Sequence, residues 1–454
     1  MASRHSHLTA PPENRPRADQ LRTRINEVLE FALGNLRLID DYSEHWKDEA
    51  DAIVRTEDKI AIETSMLLLV VDRAGGGQDR AVWDGLVEFC ESRCRSPRVR
   101  CAIARHPRAV SSLGLGHYFL SALGRPDEGM DELVRNAVAT GHAGTEELVP
   151  FRRLEFRWAQ RKAGGGSSEQ LGQVSPAWQA GASAIASDHD GLYTTREDCY
   201  ALTHTLMYAT DFGSDRIPGA DEDRLRSSIG SALCFAVAIR DFDLLGELLL
   251  ADAVLPGSAS AFACCGWALR TRVLNSGGSL PGPAFRADEY RHRGAPGRAS
   301  YAFQHSYHPA YVDALLCATL LRRQDEWPES DPHGGAAPDP GTLRRIVDLA
   351  WPDPSSPGKE TALELCALPI PLAARVETLV EVAAIETVRR YDLLALRQLL
   401  RAVHGSPLER SRGMQVTARF LANQIALSRQ LEPPPARPGI NEPVRSAGSS
   451  VSRV

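Results

Sequence analysis

Apolar residues recur every three to four positions along almost the whole chain. Leu21, Ile25, Val28, Leu29, Ala32 and Leu36 set this spacing from Asp19 onward, as an amphipathic helix requires. Ile53, Ile60, Ile62, Met66 and Leu69 repeat it over Asp51–Asp72, and Gly75-Gly76-Gly77 breaks it. The same pattern predicts helices around Ala81–Cys90, Ala109–Leu123, Met130–Ala139, Thr145–Gln160 and Pro176–Ser187. It resumes over Asp221–Arg240, Asp243–Val254, Ala259–Leu274, Tyr311–Arg322 and much of Thr342–Gln430, with an irregular Pro281–Arg298 between. Alternating β-branched runs and hairpin dipeptides are missing. The expected fold is all-α, with short connections that make neighbouring helices mostly antiparallel.

Breaks in the pattern divide the chain. A polar tail is expected over 1–18, a helical region over 19–163, and a Gly/Ser linker at Ala163–Ser168. A second helical region follows over 175–325. A Pro-rich linker at Glu326–Gly341 leads to a third over 342–430, and a Pro/Ser-rich tail over 431–454.

One helix stands out. Thr194 or Thr195 can cap it, Glu197 and Asp198 suit its positive end, and nothing breaks it before Gly213. Residues four apart share a helix face, so Tyr200, His204 and Tyr208 form one row, with Asp211 expected three residues on along the same side. Phenol, imidazole, phenol and carboxylate on one stripe point to a polar site. An imidazole titrates close to neutral pH, so His204 is the candidate general base or acid. Asp211 or Asp198 would orient it, and Tyr200 and Tyr208 would donate hydrogen bonds to a substrate oxyanion. The same stripe is also what a buried polar network fixing helix packing would show.

A loose echo, Tyr307-His308 ahead of another apolar run, suits either an α/α toroid or a layered antiparallel helical array with a central cavity. His308 would then face His204 across that cavity. Thr203, Tyr307, His308 and Arg152 complete the candidate set as substrate-binding residues.

The string Asp198, Tyr200, Leu202, Thr203, His204, Tyr208, Thr210, Asp211, Phe212, Gly213 resembles a helical actinobacterial family of unknown function. Tyr307-His308 before Val312, and Pro150-Phe151-Arg152-Arg153-Leu154-Glu155, resemble it too. The likeness spans roughly 20–325; it supplies candidate residues and no reaction. Asn275–Gly282 is similar to the helix-closing turn of triterpene cyclases, but the Gln, Asp and Trp of that turn are missing, as is an acidic D-x-D-D motif.

Other clusters read less sharply. His305 and His308 are three apart, but Pro309 biases His308 away from helical geometry, so the two are not expected to converge. Cys90, Cys94, Cys101 and His106 match no standard metal spacing. Asp40-Asp41-Tyr42-Ser43-Glu44 departs from the D-D-x-x-D of terpene synthases and reads as an acidic helix end. No metal and no cofactor are expected.

Composition narrows the class. The 454-residue chain is 43% hydrophobic and 24% charged, as for a globular protein with a large core. Its net charge of −6 and pI near 6.1 lack the basic footprint of a nucleic-acid binder. No apolar run is long enough to span a membrane, no signal peptide is visible, and the nine scattered cysteines read as reduced thiols. The expectation is a cytoplasmic protein, leaning to a metabolic enzyme that holds a small molecule over His204. The alternative is a helical scaffold binding a protein or peptide partner.

Overall fold

The computed structural model describes residues 17–41, 53–75, 79–142, 149–163, 183–277, 282–323 and 341–431. The tails, most of both expected linkers, most of Pro176–Ser187, the turn at 278–281 and the stretches 42–52, 76–78 and 143–148 lie outside the described residues, as do the side chains of Asp40 and Asp41.

Among the described residues the fold is all-α, with no strand. The helices are α1 (Ala18–Asp41), α2 (Thr56–Arg73), α3 (Arg80–Cys94), α4 (Pro97–Arg105), α5 (Val110–Ala122), α6 (Glu128–Ala139), α7 (Pro150–Lys162), α8 (Arg196–Ala209) and α9 (Glu222–Ala238). They continue as α10 (Phe242–Ala253), α11 (Ala261–Gly277), α12 (Ala287–His292), α13 (Ala295–Arg322), α14 (Gly341–Ala350), α15 (Pro357–Cys366), α16 (Leu372–Arg389), α17 (Leu393–Val403) and α18 (Arg412–Leu431).

Local chemistry sets many starts. Asp79, Ser96, Asp127, Asp221, Asp241 and Asp392 each accept a backbone N–H of their helix's first turn, which satisfies donors the helix itself cannot. Thr195 does this for α8, and Asp198 reaches back to the Thr195 N–H to complete a capping box.

Packing links alternate helices in a closed circuit. α2 lies against α5, α5 against α7, α7 against α8, α8 against α10, α10 against α13, and α13 returns to α2. Other helices cover this circuit from outside: α1 packs on α13 and α3, and α9 and α11 pack on α10. α16 joins the C-terminal helices to α9 and α11. α10 is buried on every face from Asp243 to Ala253. A helix buried all round belongs at the centre, so its acidic residues need partners there.

The sequence reading fails at α13. Pro281–Arg298 was expected to be irregular and Pro309 to disturb the helix at His308. Instead α12 and the 28-residue α13 occupy much of this region, and α13 runs through Pro309. Proline leaves the carbonyl four residues back without its helical donor. Here the His305 carbonyl accepts the Gly282 N–H instead, and buried Arg270 donates to the Pro309 carbonyl at 3.1 Å. The Gly282 N–H thus replaces the donor that proline removes, Arg270 adds a tie to the Pro309 carbonyl, and His308 keeps a helical position.

Candidate functional site

α7 and α8 run side by side in the same direction. Phe151 meets His204 with ring centroids 5.1 Å apart, Tyr208 bonds Glu155 at 2.8 Å, and Trp158 meets Phe212 at 5.3 Å. Each step is about one helical turn on both helices. The expected row forms on α8: Tyr200 to His204 and His204 to Tyr208 are each 6.1 Å between centroids.

His204 has a defined tautomer. Its Nδ1 lies 2.8 Å from the Tyr200 carbonyl oxygen. A carbonyl only accepts, so Nδ1 carries the proton and Nε2 is the basic nitrogen. Among the described residues Nε2 has no hydrogen-bond partner. Glu247 Oε2 stands 3.6 Å from Nδ1 and is fixed there by the Thr203 hydroxyl, which donates to it at 2.8 Å. Glu247 thus sets a carboxylate beside the nitrogen that carries the proton.

His308 lies on the other side of the same carboxylate. Its Nε2 donates to Glu247 Oε1 at 3.1 Å and its Nδ1 to Glu63 Oε2 at 3.2 Å, while Asp243 Oδ1 is 3.9 Å from Nε2. With carboxylates at both nitrogens the ring is an imidazolium. Burial alone would push its pKa down; Glu63, Glu247 and Asp243 override that and hold it well above the imidazole range.

The carboxylates answer in kind. Burial would raise Glu63, but His308 and Lys59 bring it down to about 2. Burial would raise Glu247 too, but His204, His308 and Thr203 lower it. Asp243 is the exception: burial pushes it up to about 6, with His308 pulling the other way and Glu247 adding to the rise. Its Oδ2 accepts the Tyr200 hydroxyl at 3.4 Å, and its Oδ1 is buried without a hydrogen bond. The site therefore joins α2, α7, α8, α10 and α13, with His308 still 31% exposed and His204 17%.

The remaining candidates divide. Arg152 is half exposed and donates to Glu155 Oε2 at 2.8 Å. Buried Tyr307 hydrogen-bonds Glu63 and sits beside His308. Burial drives the phenols of Tyr200 and Tyr208 well above their ordinary range, helped by the nearby carboxylates, so both stay protonated donors. Asp198 is occupied at the helix cap, where it exchanges hydrogen bonds with Thr195.

Asp211 is not on the stripe. The helix ends at Ala209, and Asp211 and Phe212 adopt left-handed φ of 51° and 52° before Gly213 at 82°. Left-handed backbone is unfavourable for non-glycine residues. Here it carries Asp211 to the C-terminal ends of α2 and α7. Arg73 binds it through Nη1 at 2.8 Å and Nη2 at 2.5 Å, Trp158 Nε1 at 2.5 Å, and Lys162 also reaches Oδ2. Against the cost of burial, Arg73, Lys162 and Trp158 lower its pKa. Asp211 is a buried joint between three helix ends, and it does not orient His204.

A family model described as a domain of unknown function (DUF6895) matches residues 25–318. The chain belongs to the DUF6895 family. No curated protein and no solved structure matches it. The match runs through both helical regions expected on either side of the Ala163 linker. It includes every residue of the His204–Glu247–His308 cluster, while α14–α18 follow it.

Within this DUF6895 chain, sequence reasoning missed Glu63, Asp243 and Glu247, and gave Phe151 and Glu155 no role beyond their place in the family-like stretch Pro150–Glu155. One signal was available: Glu247 interrupts Leu244-Leu245-Gly246 and Leu248-Leu249-Leu250, and an acid flanked by apolar residues on both sides needs a buried partner. Among the described residues no group of three or more His, Cys, Asp or Glu is arranged to hold a metal ion. The nine cysteines are free; burial, then Asp198, pushes the Cys199 thiol up to about 12, away from nucleophilic use. Clefts of about 780 Å³, beside Arg24 and Trp267, and about 590 Å³, beside Arg397 and Met414, take no residue of the cluster. No helix among the described residues is long and apolar enough to cross a membrane.

Proposed function

We propose that this chain binds a small organic ligand at the His204–Glu247–His308 cluster and performs acid–base chemistry on it. His204 is the base, through Nε2. Glu247 supports the charge that His204 acquires, and the His308 imidazolium offsets the charge of Glu247 and Glu63. We further propose that the closed circuit of helices is an α/α toroid and that the cluster lines its interior. One observation carries the catalytic reading: the Tyr200 carbonyl holds the proton of His204 on Nδ1, leaving a basic nitrogen that no described residue engages. An accessible, unengaged basic nitrogen is what a general base requires.

The competing scaffold reading has its own observation. Tyr391, Leu394, Ile425 and Leu427 are exposed on or beside α17 and α18, outside the family match, and would serve a protein partner. They do not account for charged groups buried in α10.

A ligand screen by thermal shift, run on wild type and His204→Ala, tests the proposal. A ligand that stabilises wild type should lose its effect in the variant, while the unliganded variant stays within about 1–2 kcal/mol of wild type. Unfolding of the variant, or an unchanged ligand response, would assign His204 to the framework.

A further inference from the structure

The cluster is uneven in what it leaves unsatisfied. Its donors are engaged: both N–H groups of His308 face carboxylates, Thr203 donates to Glu247, Tyr200 to Asp243, and Tyr208 and Arg152 to Glu155. Its spare capacity is for accepting. His204 Nε2 has no partner among the described residues. Asp243, with a side chain only 6% exposed, has Oδ1 without a hydrogen bond on the side facing His308. A buried carboxylate oxygen left bare is costly unless something supplies a donor.

Charge points the same way. Glu63, Asp243 and Glu247 share one imidazolium, and the nearby Lys59, more than half exposed, stands 3.5 Å from Glu63. The excess is negative, at a place where burial weakens screening. Aromatic rings border it: Phe151 and Tyr200 each meet the His204 ring, at 5.1 and 6.1 Å between centroids. Carboxylates beside aromatic faces suit a cation that carries an apolar stem.

Resting on the reading of this cluster as a ligand site, we infer that the ligand is a small organic ammonium, a protonated amine on an apolar or aromatic stem. Its N–H groups go to Asp243 Oδ1 and to the Glu63–Glu247 carboxylates, and its stem lies against Phe151 and Tyr200. An anionic ligand would meet like charge and engaged donors. A neutral alcohol would supply one donor and no charge.

Benzylamine, benzyl alcohol and benzoate share one stem and differ in charge. Ligand-observed NMR titration of the full chain near pH 7 should show benzylamine binding at least about tenfold tighter than the other two. Asp243→Asn should remove that preference; Glu63→Gln serves as the second variant should Asp243→Asn fold poorly. Benzyl alcohol or benzoate binding as tightly as benzylamine, with all binding lost in His204→Ala, would overturn the ammonium class and leave the site standing. Equal binding of all three that ignores His204→Ala would overturn the class and the site together. No binding of benzylamine at millimolar concentration would also overturn the ammonium class.

Discussion

Two charged clusters sit on the same helices and differ in how far they are satisfied. At the C-terminal ends of α2 and α7, Asp211 has both oxygens engaged by Arg73, with Trp158 and Lys162 added. Two to three turns earlier, His204, Glu247, His308, Glu63 and Asp243 form a network with a basic nitrogen and a carboxylate oxygen left over. The Asp211 joint has cations at helix C-termini, where the macrodipole favours them, and no open valence. It behaves as a fastening. The second cluster retains unsatisfied capacity in a partly open position, which a fastening has no use for. Residue types alone do not separate the two; hydrogen-bond satisfaction does.

The sharpest way to break this contrast is Asp211→Ala. It leaves Arg73, Lys162 and the Trp158 N–H without their shared acceptor. Urea unfolding should show a loss of about 3–5 kcal/mol, as for other broken buried pairs. Retention of wild-type stability would show that the joint is not a fastening.

Glu247→Gln comes next. It keeps the shape but removes the charge shared by His204 and His308, and about 1.5–3 kcal/mol should be lost, the range for hydrogen bonds to charged groups. Its larger effect should be functional: ligand response should fall far more than stability does. Loss of both in equal measure would place this cluster with Asp211.

The pH dependence of stability refines the assignment of His308. A raised folded pKa contributes stability that is fully present below its unfolded value of about 6.5 and is lost as pH rises through the higher folded value. Glu63, lowered from 4.5 to about 2, contributes stability that is present above 4.5 and lost as pH falls through about 2. The pair should therefore stabilise most between about 4.5 and 6.5. The groups facing His308 are Glu63 and Lys59 on α2, Asp243 and Glu247 on α10, and Tyr307 beside it. Unfolding of wild type and His308→Gln across pH should give a difference that is largest in this window and shrinks on both sides. A difference that is flat with pH would mean the imidazole is neutral.

The smallest effect is expected at Asp198. Asp198→Ala removes half of a capping box and should cost about 0.5–1 kcal/mol with ligand response unchanged. A selective loss of ligand response would return Asp198 to the site.

The row Tyr200–His204–Tyr208 was legible because helical period alone puts these residues on one face, and Thr195 was legible as a cap because its neighbours Glu197 and Asp198 suit a helix start. Asp211 was misplaced because Gly213 marked the break while the helix had already ended at Ala209. The turn is closed locally, by Phe212 N–H on the Met207 carbonyl and Gly213 N–H on the Thr210 hydroxyl; Arg73, Lys162 and Trp158, distant in the chain, receive the Asp211 carboxylate it presents. Pro309 misled because the donor it removes is supplied by Gly282, from another segment.

By itself the chain determined its helices, their caps and the titratable row on α8, because these follow from periodicity and short-range hydrogen bonding. Tertiary structure decided which of those groups share a site. Glu63 meets His308 across 245 positions and Glu247 across 61, and the direction in which each pKa moves depends on those encounters and on burial. Electrostatics acts through space, and the spacing of residues along a chain does not encode which remote carboxylates will arrive beside an imidazole.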